Sequence, residues 1–138
     1  MKTKHYLTLE DAEFLLTRAH QFAVDKEFNV SIAVVDDTGS LMAMKRMDGA
    51  SPMTAGLSIE KARCSAASRR PSGLFEELVR DGQLGFLTVN SVSGMLEGGE
   101  PILYKEQLVG AVGVSGVKSE QDAEIARHAI QVFLALAD

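Results

Sequence analysis

Leu9, Ala12, Leu15, Leu16, Ala19, Phe22 and Ala23 recur at the three- and four-residue spacing of one helix face. They predict a first helix over residues 8–25, with Thr8 and Asp11 placed to form a capping box in which aspartate replaces the usual Glu or Gln. The pattern then changes period. Residues 30–36 are rich in β-branched side chains and read as a strand. Asp36, Asp37, Thr38 and Gly39 form a turn, with Gly39 where positive φ is needed, and residues 41–47 return as the second strand of a hairpin. A helix made mostly of small residues follows over 53–68: Ala55, Gly56, Ser58, Ala62, Ser65, Ala66 and Ala67. Pro71 ends it, because the residue before proline is pushed out of the helical region. Ser72 is placed to cap a short helix over 73–80, which Asp81 and Gly82 close.

Residues 85–90 read as a short strand or an extended loop. Residues 101–105 and 108–115 form a second hairpin about a turn at Glu106 and Gln107. The last helix is expected over 119–137, with Ile125, Ala129, Ile130, Phe133 and Leu136 facing inward. Two hairpins favour an antiparallel sheet, since strands joined this way need no crossover helix. Helices before, between and after them make this an α+β layered fold, with residues 1–138 as one domain.

Composition narrows the class of partner. The formal charge is −5, which argues against nucleic acid or an anionic membrane as the main partner. Aromatic residues make up 6% of the chain and tryptophan is absent, which weakens any reading based on stacked bases. No apolar run reaches the ~18 residues of a membrane span, and the first residues carry no apolar signal segment. A cytoplasmic protein is expected. The lone Cys64 cannot form an internal disulfide and reads as packing. Lys61 and Arg63 would lower its pKa only if the helix brought them beside the thiol.

Four stretches carry candidate chemistry. Gly98 and Gly99 before Glu100 and Pro101 leave backbone N–H groups uncovered, as anion-binding loops do; the same residues also suit a plain turn into a strand. The small residues of 113–116 run into a helix start at Ser119, which suits a carboxylate or phosphate. Glu120 and Asp122 already answer part of that dipole. Lys61 lies among small residues and points either into water, the commoner case, or into a pocket, where its uses are anion binding or covalent or base chemistry. His5, His20 and His128 are too far apart in sequence for a helical metal pair, so no metal site is predicted. Neither a P-loop nor a dinucleotide fingerprint is present, and Ser115 does not sit in a nucleophile elbow.

In order and spacing, several segments resemble the family that groups HbpS, GlcG and the C-terminal domain of PduO. They are residues 31–36, the Gly39 turn, Arg46 to Ala50, Glu60 to Arg63 with Ala66, and Arg70 with Pro71. Gly98 to Pro101, Gly110 to Gly116, and Gln121 with Asp122 continue the likeness, which runs from about Leu7 to Ala137. The resemblance implies a profilin-like, three-layer α/β/α sandwich with a central antiparallel sheet of about five strands. It implies homo-oligomers, from dimers to octamers, and binding of haem or another tetrapyrrole. The chain departs from the pattern at Glu100, which follows two glycines rather than three. It departs again at Cys64, where threonine is usual, and at Val117 and Lys118, where a glycine-containing turn is commoner.

The leading expectation is an oligomeric small-molecule-binding protein, for haem or a corrinoid, with a pocket between the second helix and the end of the second hairpin. Arg46 and Lys61 would meet ligand carboxylates, and backbone groups at Gly98, Gly99 and Ser115 would complete the cradle. Met44, Leu57 and Leu96 would form an apolar slot. The alternative is a lyase or isomerase on a small aromatic or hydroxy carboxylate, with Glu100 as general acid/base and Lys61 or Arg46 as anchor. A third is an accessory assembly protein with no ligand.

Overall fold

A reciprocal cap begins the first helix of the computed structural model, which describes residues 1–137. Asp11 N donates to Thr8 Oγ1 at 3.1 Å, and Thr8 N donates to Asp11 Oδ2 at 2.9 Å. This cap starts α1 (Leu9–Asp25), which leads into β1 (Ser31–Asp36) and β2 (Leu41–Arg46). Next come α2 (Pro52–Ser68), α3 (Gly73–Arg80) and a short 3-10 helix, Leu84–Thr88. The chain closes with β3 (Gly99–Tyr104), β4 (Gln107–Ser115) and α4 (Ser119–Leu136). Gly39 has φ +82°, as its turn requires. The second hairpin turns at Lys105 and Glu106, one residue earlier than the sequence suggested, and both adopt positive φ.

The sheet has four strands, in the order β2-β1-β4-β3, all antiparallel. This corrects the expectation of about five. The stretch 85–90, read as a short strand or an extended loop, forms most of the 3-10 helix instead. Its leucines, Leu84 and Leu87, sit three apart, which is the 3-10 period rather than the alternation of a strand. Both are exposed.

Strand alternation sorts the core into two layers. Ser31, Ala33 and Val35 of β1 stand opposite Ser115, Gly113 and Ala111 of β4 on the face that α2 covers. Ile32 and Val34, opposite Val114 and Val112, point the other way, into a core shared with α1 and α4. Helix α2 comes unusually near the sheet because glycines receive it. A Cβ on Gly113 would stand 2.0 Å from the Ser58 carbonyl oxygen, and one on Gly99 would stand 2.1 Å from that of Lys61. Polar side chains buried beneath α2 are matched locally. Ser31 and Thr54 share a hydrogen bond of 2.8 Å, and Ser65 Oγ donates to Arg70 O at 2.7 Å.

Three finer expectations are corrected. Leu9 and Leu136 are exposed rather than inward-facing, because each lies in a terminal turn of its helix beyond the sheet. Ser72 does not cap α3 with its side chain. Its hydroxyl donates to Leu96 O at 2.6 Å and accepts from Gly99 N at 2.8 Å, pinning the start of β3. No helix among the described residues is long and apolar enough to cross a membrane.

Candidate functional site

Lys61 is buried on the sheet-facing side of α2. Its side chain runs past Gly98, where a Cβ would stand 2.8 Å from Nζ and 2.9 Å from Cδ. Nζ donates to Val114 O at 3.0 Å and to Asp122 Oδ2 at 3.1 Å. The ladder explains the first contact. Val114 N donates to Gly98 O at 3.0 Å, β3 begins only at Gly99, and the ammonium supplies a donor to the Val114 carbonyl at that fraying edge. Asp122 also accepts from Val117 N at 3.1 Å through Oδ1, so it holds the entry to α4 as well. Burial pushes the Asp122 carboxyl above its ordinary range, against the pull of Lys61 and the backbone N–H groups.

Lys61, Gly98, Gly99 and Ser115 therefore gather at one end of the sheet. Ser115 is buried there, opposite Ser31. The space between them is filled by protein: the backbones of Gly98 and Gly99 close against the lysine side chain and its carbonyl.

Glu100 belongs to the other face. It stands opposite Val112 on β4 and is 7% exposed. Its Oε1 accepts from Arg127 Nη1 at 2.9 Å. Burial raises the Glu100 carboxyl above the usual range; Arg127 pulls it down and the charge of Glu97 adds to the rise. Lys61 and Glu100 are thus committed to separate partners on α4, Asp122 and Arg127.

Arg46 lies at the exposed end of β2, opposite Ser31, which in turn stands opposite Ser115. Two strand spacings, roughly 10 Å, separate it from Ser115. It lines a surface recess of about 440 Å³ together with His20, Asn29, Lys45, Met47 and Asp48. Lys45 Nζ lies 3.5 Å from His20 Nδ1, and Met47 Sδ accepts from Val30 N at 3.5 Å. Sequence reasoning did not assign His20 or Lys45 to a site. The available signals were the adjacent cations at the hairpin end and a histidine beside the buried stripe of α1, but only the packing of α1 against β2 joins them. Met44, Leu57 and Leu96 line neither this recess nor a second one beside β3 and β4.

Cys64 is buried, and burial pushes its thiol up to about 11. The described residues contain no group of three or more His, Cys, Asp or Glu side chains that could hold a metal ion.

A family model described as "Haem degrading protein HbpS-like" matches residues 7–131. The chain belongs to the HbpS-like family. It is similar to Protein GlcG of Escherichia coli K12, with 42% identity over 115 residues, covering 83% of this chain and 85% of the relative. Among solved structures it is similar to the Klebsiella pneumoniae protein ORFY, with a TM-score of 0.91, 29% identity and coverage of 99% and 96% of the two chains. It is also similar to PduOC in its complex with haem, with a TM-score of 0.81, 26% identity and coverage of 92% and 94%.

Proposed function

We propose that this chain binds a small carboxylate-bearing ligand, haem or a related tetrapyrrole, in the recess at the open end of the β1–β2 hairpin. The observation that carries the reading is that His20, Lys45 and Arg46 line one recess. An imidazole is a common axial ligand for haem iron. The guanidinium of Arg46 and the ammonium of Lys45 suit the two propionates. The donor set therefore fits the polar and axial needs of the group. Met47 is the one large apolar side chain in the lining, so little of the ring would be covered by this chain alone. A second copy of the chain supplies the missing cover in this reading, as a homo-oligomer. The haem-bound PduOC relative supports the choice of ligand. Lys61, with Gly98, Gly99 and Ser115, serves here as the internal tie that holds α2, the sheet and α4 together.

A haemin titration followed by absorbance tests the reading. A saturable Soret shift is expected. His20→Ala should weaken it by at least about tenfold, and Arg46→Ala by a smaller factor. A shift that neither substitution changes overturns the assignment.

A second reading, an enzyme acting on a small aromatic or hydroxy carboxylate, is favoured by one observation: burial holds the Glu100 carboxyl above its ordinary range, which suits a general acid. In it Glu100 acts beside Arg127, and Lys61, paired with Asp122 on the opposite face, takes no part in that site. Once a substrate is found, Glu100→Gln should abolish turnover with the fold intact; full activity in that variant would eliminate this role.

A further inference from the structure

The recess around Arg46 borders β2 at one edge of the sheet. A separate groove of about 340 Å³ borders β3 and β4, where the N-terminal segment crosses between the start of α1 and the end of α4. The segment is pinned there. Leu7 is buried and reaches over Gly110, where a Cβ would stand 2.6 Å from Leu7 Cδ1. His5 N donates to Gln107 Oε1 at 3.2 Å, and Gln107 Nε2 donates back to His5 O at 3.3 Å.

The walls of the groove are largely aromatic: Tyr6, Phe14, Tyr104 and Phe133. The His5 and Tyr104 rings meet edge to face at 5.0 Å, and Phe14 and Phe133 lie 6.2 Å apart. The charged lining is of one sign. Glu10 and Asp11 border the groove, and no lysine or arginine does. Asp11 is engaged by the cap of α1, but Glu10 has no hydrogen-bond or ion-pair partner among the described residues. The chain already places its own cations over two of these rings. Arg18 Cζ is 5.8 Å from the Phe14 centroid, and Lys105 Nζ is 5.2 Å from that of Tyr104, although neither residue lines the groove.

We propose that this groove is a second ligand site, selective for a small organic cation carried on an apolar body, of the aryl-alkyl ammonium class. The ring faces attract the positive centre through their quadrupoles, and the unpartnered Glu10 carboxylate adds a full opposite charge. The same lining repels carboxylates. This inference does not depend on the haem reading.

Backbone amide shifts of the full chain, recorded during titration with benzyltrimethylammonium and separately with phenylacetate, test it. Saturable shifts at His5, Tyr6 and Tyr104 are expected with the cation and not with the anion. Glu10→Gln, at an exposed helical position, should weaken cation binding by about two- to fivefold without changing the melting temperature. Phe14→Leu should weaken it further, and His20→Ala should leave it unchanged. Equal responses to both probes, no saturable shift, or indifference to Glu10→Gln would each overturn the proposal. So would shifts that appear only on dilution, because they would assign the groove to a contact between copies of the chain.

Discussion

Lys61 Nζ and Asp122 Oδ2 stand 3.1 Å apart, 61 residues apart in sequence, and their contact joins helices that cover opposite faces of the sheet. Removing one partner leaves the other charge buried and unpaired, which costs far more than the pair itself contributes. Lys61→Ala should lower unfolding free energy by about 3–5 kcal/mol. Lys61→Met combined with Asp122→Asn should recover much of that loss, since the asparagine still accepts from Val117 N. Denaturant unfolding of Lys61→Met, Asp122→Asn and the double variant measures the coupling. A single-variant loss below about 1 kcal/mol would mean that the pair is more hydrated than its burial indicates.

The glycines beneath α2 make a sharper contrast. Gly113→Ala would press a methyl group against the Ser58 carbonyl, and Gly99→Ala against that of Lys61. Backbone cannot yield cheaply, so both variants should be strongly destabilised or fail to fold. Gly56 lies on the same helix with open space around it. Gly56→Ala should therefore raise stability by about 0.5–1 kcal/mol through helix propensity alone. Thermal melts of the three variants distinguish packing from propensity.

Glu100 sets a pH dependence with a defined sign. Its carboxyl is raised in the folded chain, so the fold holds that proton more tightly than the unfolded chain does. The resulting stability is present below the ordinary carboxylate pKa and is lost as pH rises through the raised folded value. Unfolding free energy should decline across that window more steeply in the wild type than in Glu100→Gln. Asp122 is raised too and contributes to both proteins, so the difference between the curves isolates Glu100. Identical slopes would show that Arg127 fully compensates the burial.

The Cys64 thiol, held at about 11 and buried, should resist a thiol-specific disulfide reagent at pH 8 in the native state. Under denaturing conditions one thiol per chain should react quickly. Rapid native labelling would show that α2 opens readily from the sheet.

Much of the framework was legible because its signals are short-range. The helical stripe of α1 and the Thr8–Asp11 cap depend on residues within a few positions of one another, and so does the positive φ of Gly39. The stretch 85–90 was harder, because two leucines and two glycines over 82–87 satisfy neither a strand nor an α-helix period, and a 3-10 turn satisfies both the spacing and the glycines. The small residues of α2 announced close packing, but not which glycines would receive it.

The sequence by itself determined the element types outside the Leu84–Thr88 3-10 helix, most of their boundaries, the antiparallel pairing within each hairpin and the family. Those follow from local periodicity, turn sterics and ordered motifs. The tertiary structure alone decided that β1 pairs with β4, that Lys61 turns inward to Asp122, that Glu100 takes Arg127 on the opposite face, and that His20 meets Arg46 at one recess. Each of these joins residues far apart in the chain. Their meeting depends on how the two helix layers seat on the sheet, through packing and charge burial that no local spacing encodes.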